Sequence, residues 1–188
     1  DEVRPGDEVL AVGRIDQIPE LEHCFVRGER RSGTKRVIIV GGSDIAVHIA
    51  KALTNRSTEV ILIEQARARC DVLADHLGSG VTILQGDGTD MHLLDEERVG
   101  QADVFIAASD ADEVNLMAAL LARDLGTPQV MALVHKPDYG RVCQRLGIDI
   151  TLSPRLAVAQ QVLTHVTTGR ITSVRPVLDG RGEFVELV

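Results

Sequence analysis

The feature that most constrains this 188-residue chain is a regular alternation running from Arg36 to Gly169. Short, mainly apolar runs rich in Val, Ile and Leu occupy 36–40, 60–63, 81–84, 104–108, 130–134 and 148–152. Between and after them lie segments whose apolar residues recur every three to four positions, at 45–55, 67–77, 91–99, 112–125, 137–147 and 154–168. In the helix expected over 45–55, Ile45, Ile49, Ala52 and Leu53 share one face. Gly78, Gly126, Gly147 and Gly169 stand where helices should stop, and Ser109 or Asp110 is expected to cap the helix that starts at Asp112. Strands apolar at consecutive positions are buried on both faces, and parallel strands need crossover helices to cover them. The alternation therefore predicts an α/β fold, a doubly wound parallel sheet with right-handed crossovers.

The core must be aliphatic, because the only aromatic residues are Phe25, Phe105, Tyr139 and Phe184. The same scarcity leaves few stacking platforms for single-stranded nucleic acid, and a net charge of −8 opposes binding to a phosphate backbone. No nucleic-acid partner is expected. No apolar run reaches 18 residues and Asp1–Gly6 is polar, so neither a transmembrane helix nor a signal peptide is expected. Cys24, Cys70 and Cys143 form no Cys-x-x-Cys pair, and the six histidines show no zinc-ligand spacing. These thiols read as buried or spare, and no metal site is expected.

The first strand-to-helix turn, Gly41-Gly42-Ser43-Asp44-Ile45-Ala46, is a departure from the glycine fingerprint of Rossmann-like dinucleotide folds. Gly41 supplies the tight turn and Ala46 allows close helix–strand packing. Ser43 stands where a glycine would let a pyrophosphate approach. Asp44 places a carboxylate at a helix N-terminus, where it should compete with a bound anion for the backbone N–H groups. Glu64 ends the second strand, where an acid receives the ribose hydroxyls of an adenosine lacking a 2′-phosphate. Capping by Ser43 and Asp44, with no ligand, is the alternative reading of the turn.

Taken with Ile63-Glu64, Arg69-Cys70, Gly86-Asp87-Gly88-Thr89-Asp90 and 109–115, the first run resembles the regulator-of-potassium-conductance (RCK, or KTN) domain family. Within it the chain is most similar to the regulatory proteins of Trk-type potassium uptake. Residues 120–126, 130–137, 146–150, 153–155 and 163–169 continue the resemblance, which spans about 35–173. It implies a tandem arrangement. Residues 1–34 would be the tail of a preceding C-terminal subdomain plus a linker, 35–153 the Rossmann-like domain, and 154–188 a crossover helix and the start of the next C-terminal subdomain. The ends are too short to be domains themselves. They carry a strand near Pro5–Gly13, and two strands, 171–177 and 184–188, around Asp179-Gly180.

The resemblance also implies a cytoplasmic regulatory subunit, peripheral to the inner face of the membrane, that gates an integral membrane potassium transporter. It would sense NAD(H) or ATP, ADP or AMP. Gly41, Gly42, Ser43, Asp44 and Ile45 would lie at the phosphates, Glu64 at the ribose, Asp87 and Gly88 at the adenosine, and Ser109 at the second half of the ligand. Family members usually carry glycine at the positions of Ser43 and Ala46 and a neutral or basic residue at that of Asp44, so weak binding is expected here. Arg155 replaces a carboxylate that joins an ion site in some relatives. Self-association is implied through helix 154–168, which in the family crosses to a second protomer or repeat. Two alternatives remain: a nucleotide-free assembly domain, or an NAD-dependent oxidoreductase using His135 and Lys136. The latter would need a substrate domain for which the chain has no room, so no catalytic residue is assigned.

Overall fold

The computed structural model describes residues 35–54, 58–166, 171–177 and 182–187. The expectations for 1–34, for the Asp179-Gly180 turn and for the stop at Gly169 lie outside the described residues. Six strands form one parallel sheet: β1 Lys35–Val40, β2 Thr58–Glu64, β3 Thr82–Gln85, β4 Val104–Ala107, β5 Val130–Leu133 and β6 Ile150–Leu152. Their order is β3-β2-β1-β4-β5-β6. This is the doubly wound arrangement, with the direction of winding reversing between β1 and β4. Val37 of β1 is in register with Val60 on one side and Val104 on the other.

The helices are α1 Asp44–Thr54, α2 Arg67–Leu77, α3 Met91–Glu96, α4 Asp112–Asp124, α5 Pro137–Arg145 and α6 Pro154–Val166. Consecutive apolar residues in the strands serve two cores. Val37 and Ile39 face Ala46 and Ala50 of α1 and Leu73 of α2, while Ile38 and Val40 face Leu94 of α3 and Ala118, Ala119 and Ala122 of α4. The buried seam of α1 is rotated from the expected one. Ala46 and Ala50 are fully buried, Ile45, Ile49 and Leu53 flank them half-buried, and Ala52 is exposed. Small residues at the seam let the helix lie close to the sheet, so its larger side chains wrap the margins.

The helix expected over 91–99 ends at Glu96. Arg98 takes a left-handed φ of 50°, and a short 3-10 turn over Val99–Gln101 carries the chain back to β4. Val99 is fully buried by this reversal, which a continued helix could not achieve. After α6, β7 Ile171–Val177 and β8 Gly182–Leu187 pair as an antiparallel hairpin. Among the described residues no helix is long and apolar enough to cross a membrane.

Candidate functional site

The β1–α1 turn sits over the carboxyl ends of β1 and β4. Gly41 has φ 99°, and a Cβ there would lie 2.5 Å from the backbone N and Cα of Ser109. Only glycine permits this approach of the two strand ends. Ser43 is buried and caps α1: its Oγ accepts from the Ala46 amide at 3.2 Å and donates to the Ala108 carbonyl at 2.5 Å. The amides of Asp44 and Ile45, in the first turn of α1, have no hydrogen-bond partner among the described residues. Such unpaired donors, at the positive end of a helix dipole, are suited to an anion.

Asp44 is placed differently from the expectation. Its carboxylate does not fold onto those amides. It is 92% exposed and forms an ion pair with Arg69 of α2, Oδ1 to Nη2 at 3.0 Å. The Nε of the same guanidinium donates to the Gly42 carbonyl at 2.8 Å. Among the described residues, the one side chain that competes with a ligand for the α1 amides is thus Ser43, and of those amides it engages that of Ala46. Arg69 carried no assignment from the sequence beyond its place in a motif. Its role depends on α2 lying beside the turn, and spacing along the chain does not report that.

Glu64, at the end of β2, accepts from the Gly42 amide through Oε2 and from the Ala66 amide through Oε1, both at 2.7 Å. It fastens the turn to the start of α2. Each carboxylate oxygen keeps a further lone pair, which two ribose hydroxyls could use. Ser109, at the end of β4, is held by the fully buried Asn115 of α4. The Asn115 Oδ1 accepts from the Ser109 amide and hydroxyl, each at 2.8 Å, and its Nδ2 donates to the carbonyls of Ser109 and Leu133. The N-cap position of α4 is Ala111, and the helix starts there with no side-chain cap. The Ser109 hydroxyl expected to serve there is turned toward Asn115.

On the far side of Glu64, Asp87 accepts from the hydroxyl and amide of Thr89, which hold its carboxyl below the usual range. Gly88 packs on Val40, and a Cβ there would overlap the valine side chain. Two clefts run across these strand ends. The larger, about 630 Å³, is lined by Gly42, Ser43, Asp44, Ile45, Glu64 and Arg69, together with Ser109 and Asp110. The smaller, about 390 Å³, is lined by Gly41, Asp87 and Gly88 and shares Glu64, Ser109 and Asp110 with the first. All nine residues singled out from the sequence therefore line one or both clefts.

His135 and Lys136 line neither. The buried Asp112 carboxylate accepts from the His135 amide and Nδ1 and from the Lys136 amide, at 2.7–2.9 Å. Burial alone would push this carboxyl up, but the three donors hold it below the usual range. The Lys136 Nζ pairs with Glu113 at 3.0 Å. Cys70 and Cys143 are buried, and burial raises both thiols, as expected of unreactive thiols. Cys24 lies outside the described residues.

A doubly wound sheet with a glycine turn, an acid ending β2 and a cleft at the reversal of strand order defines a nucleotide-type α/β domain. The TrkA-N domain family matches residues 37–154, and the chain belongs to that family. It is 35% identical over 188 residues to the Trk system potassium uptake protein TrkA of Azorhizobium caulinodans, covering 99% of this chain and 40% of that protein. The TrkA of Haemophilus influenzae is 36% identical over 186 residues, with 99% and 40% covered. The chain thus spans about two fifths of the length of these relatives.

Among solved structures, the TrkA-N domain of the inner membrane protein ybaL from Escherichia coli superposes with a TM-score of 0.63 at 16% identity, covering 73% of this chain and 99% of that one. The GsuK channel bound to NAD gives 0.64 at 20% identity, covering 86% and 29%. GsuK bound to ADP gives 0.61 at 22% identity, covering 80% and 40%. At these identities the likeness concerns the fold.

Proposed function

We propose that this chain is a regulatory module of potassium uptake. On this reading it binds NAD(H) or an adenine nucleotide in the cleft between β1 and β4, and its occupancy biases a membrane potassium transporter subunit with which it associates on the cytoplasmic side. The observation that carries the reading is the meeting of Gly41–Ile45, Glu64, Asp87, Gly88 and Ser109 along the clefts where the strand order reverses. Ligands of open α/β sheets bind at such switch points. The residues fit the group: two unpaired amides for an anion, a carboxylate for a ribose diol, and Arg69 in reach of the same cleft. The names of the relatives support the link to potassium uptake, and the GsuK structures with NAD and ADP support the choice of ligand class. The exposed apolar side chains of α6, among them Val158, Val162 and Val166, support self-association.

Binding, not turnover, is the expected chemistry. His135 and Lys136, the sequence's candidate acid–base pair, are engaged with Asp112 and Glu113 away from the cleft. A second reading, an assembly domain without nucleotide, draws on the excess of carboxylates in the cleft. Thermal unfolding of the chain with NADH, NAD, ATP, ADP and AMP separates the two. A ligand at a hundred times its Kd stabilises by about 2.7 kcal/mol, whereas an assembly domain shows no shift with any of the five. Calorimetry should find NADH tighter than NADPH, because Glu64 repels a 2′-phosphate. The reverse order would remove Glu64 from the ribose.

A further inference from the structure

We propose that Arg69 is the phosphate-recognising side chain of the cleft and that Asp44 occupies it as an internal anion, so that a phosphate-bearing ligand binds by taking the place of Asp44 on the guanidinium. This rests on the nucleotide reading above and adds to it a mechanism that levels affinity across ligands of different phosphate count.

Three observations carry it. The guanidinium is divided between two tasks: Nε is fixed to the Gly42 carbonyl at 2.8 Å, and Nη2 is given to Asp44 at 3.0 Å. The first bond orients the fork over the turn whether or not Asp44 is in place. Phosphate and carboxylate oxygens accept from a guanidinium in similar geometry, so one can replace the other. Second, among the described residues Arg69 is the only cation lining the larger cleft, against the carboxylates of Asp44, Glu64 and Asp110, and the unpaired amides of Asp44 and Ile45 lie in residues that line the same space. Third, the Asp44 side chain is 92% exposed and held by that single ion pair, while the Arg69 side chain is 36% exposed. Releasing Asp44 to water breaks one exposed contact and disturbs no packing, which is what an exchange needs.

In the wild-type cleft, each phosphate gained by a ligand meets Arg69 only after Asp44 is displaced, and then faces three carboxylates. Affinity should therefore be nearly flat from adenosine through AMP to ADP and ATP. In Asp44→Asn the guanidinium loses its ion-pair partner and one repelling charge is gone, while the Nε bond to Gly42 and the Ser43 cap are untouched. Calorimetric titration of the full chain and this variant with adenosine, AMP, ADP and ATP, at low and at 0.5 M salt, is the test.

The expected result is a gain of about five- to tenfold for ADP and ATP at low salt, the scale of one partly exposed charge pair. Adenosine should stay within about twofold, and salt should shrink the ADP gain. Adding Arg69→Gln to Asp44→Asn should bring ADP and ATP back down to the affinity of adenosine. If adenosine gains as much as ADP, or if the ratio of ADP to adenosine affinity is the same in Asp44→Asn as in the parent, the exchange is overturned while the nucleotide reading stands. If none of the four ligands binds either protein, the exchange is overturned, and the nucleotide reading falls with it where NADH and NAD also give no thermal shift.

Discussion

At the scale of single residues, two positions fix the geometry of the cleft through the backbone they hold. Gly41 holds a φ of 99° with the Ser109 backbone where a Cβ would be. Gly41→Ala should therefore cost at least about 2 kcal/mol, from a left-handed conformation and a contact with backbone that cannot yield. A urea midpoint within error of the parent would show that the two strand ends are not so tightly joined. Asn115 is fully buried and holds both faces of Ser109. Asn115→Ala leaves the Ser109 amide and the Leu133 carbonyl without partners, a loss of about 2–3 kcal/mol in the same measurement. The glycine turn and Glu64 stand out in the sequence by their distance from strand ends, and Asp87 and Ser109 through the family resemblance; the fold brings all of them to the two clefts. The parts played by Arg69 and Asn115 could not be read from the sequence. Each acts through a helix face that meets its partner only in the folded sheet, and nothing local distinguishes either from a solvated arginine or an ordinary polar helix residue.

At the scale of elements, α1 depends on Ser43 for more than a cap. Its hydroxyl joins the α1 N-terminus to the end of β4 through Ala108. Ser43→Ala should destabilise by about 1–2 kcal/mol, at the upper end for a lost N-cap, because a bond between elements goes with it. An equilibrium urea curve displaced by much less would mean that the Ala108 bond contributes little. The six strands were legible because burial on both faces demands consecutive apolar residues, which nothing but a covered strand or a short buried helix uses. Element ends were less legible. The helix expected to reach Val99 stops at Glu96 because Val99 must turn inward to the core, a demand of packing that outweighs a sequence compatible with another turn. Ser109 resembles a helix cap in the sequence, yet its hydroxyl is bonded to Asn115, six positions away in the chain and one turn into α4.

At the scale of the whole molecule, two predictions concern association and acid. Val158 and Val162 of α6 are one helical turn apart and more than half exposed. Val158→Glu with Val162→Glu should leave the urea midpoint of the Rossmann-like domain unchanged but lower the mass seen by light scattering, if α6 is the surface through which copies meet. An unchanged mass in a self-associating parent would place the interface elsewhere. The acid prediction follows from two carboxylates that tie β5 to its neighbours. Asp112 receives the His135 and Lys136 amides after β5, and Asp149 receives the Val130 amide at its start together with Arg123 of α4. Burial opposes the charge of both, yet these donors hold both carboxyls below the usual range. In the unfolded chain they titrate near their ordinary value of about 4, so between that pH and the lower folded values the unfolded state binds more protons than the folded one. Their contribution is fully present above about pH 5 and drains as pH falls through the folded values. The urea midpoint should thus be level from pH 7 to about 5 and fall steeply below about 4. Asp149→Asn should lower the midpoint at pH 7 and fall less steeply in acid, because the group that must be protonated is gone. An acid slope equal to that of the parent would show that the carboxylates responsible for acid unfolding lie elsewhere in the fold.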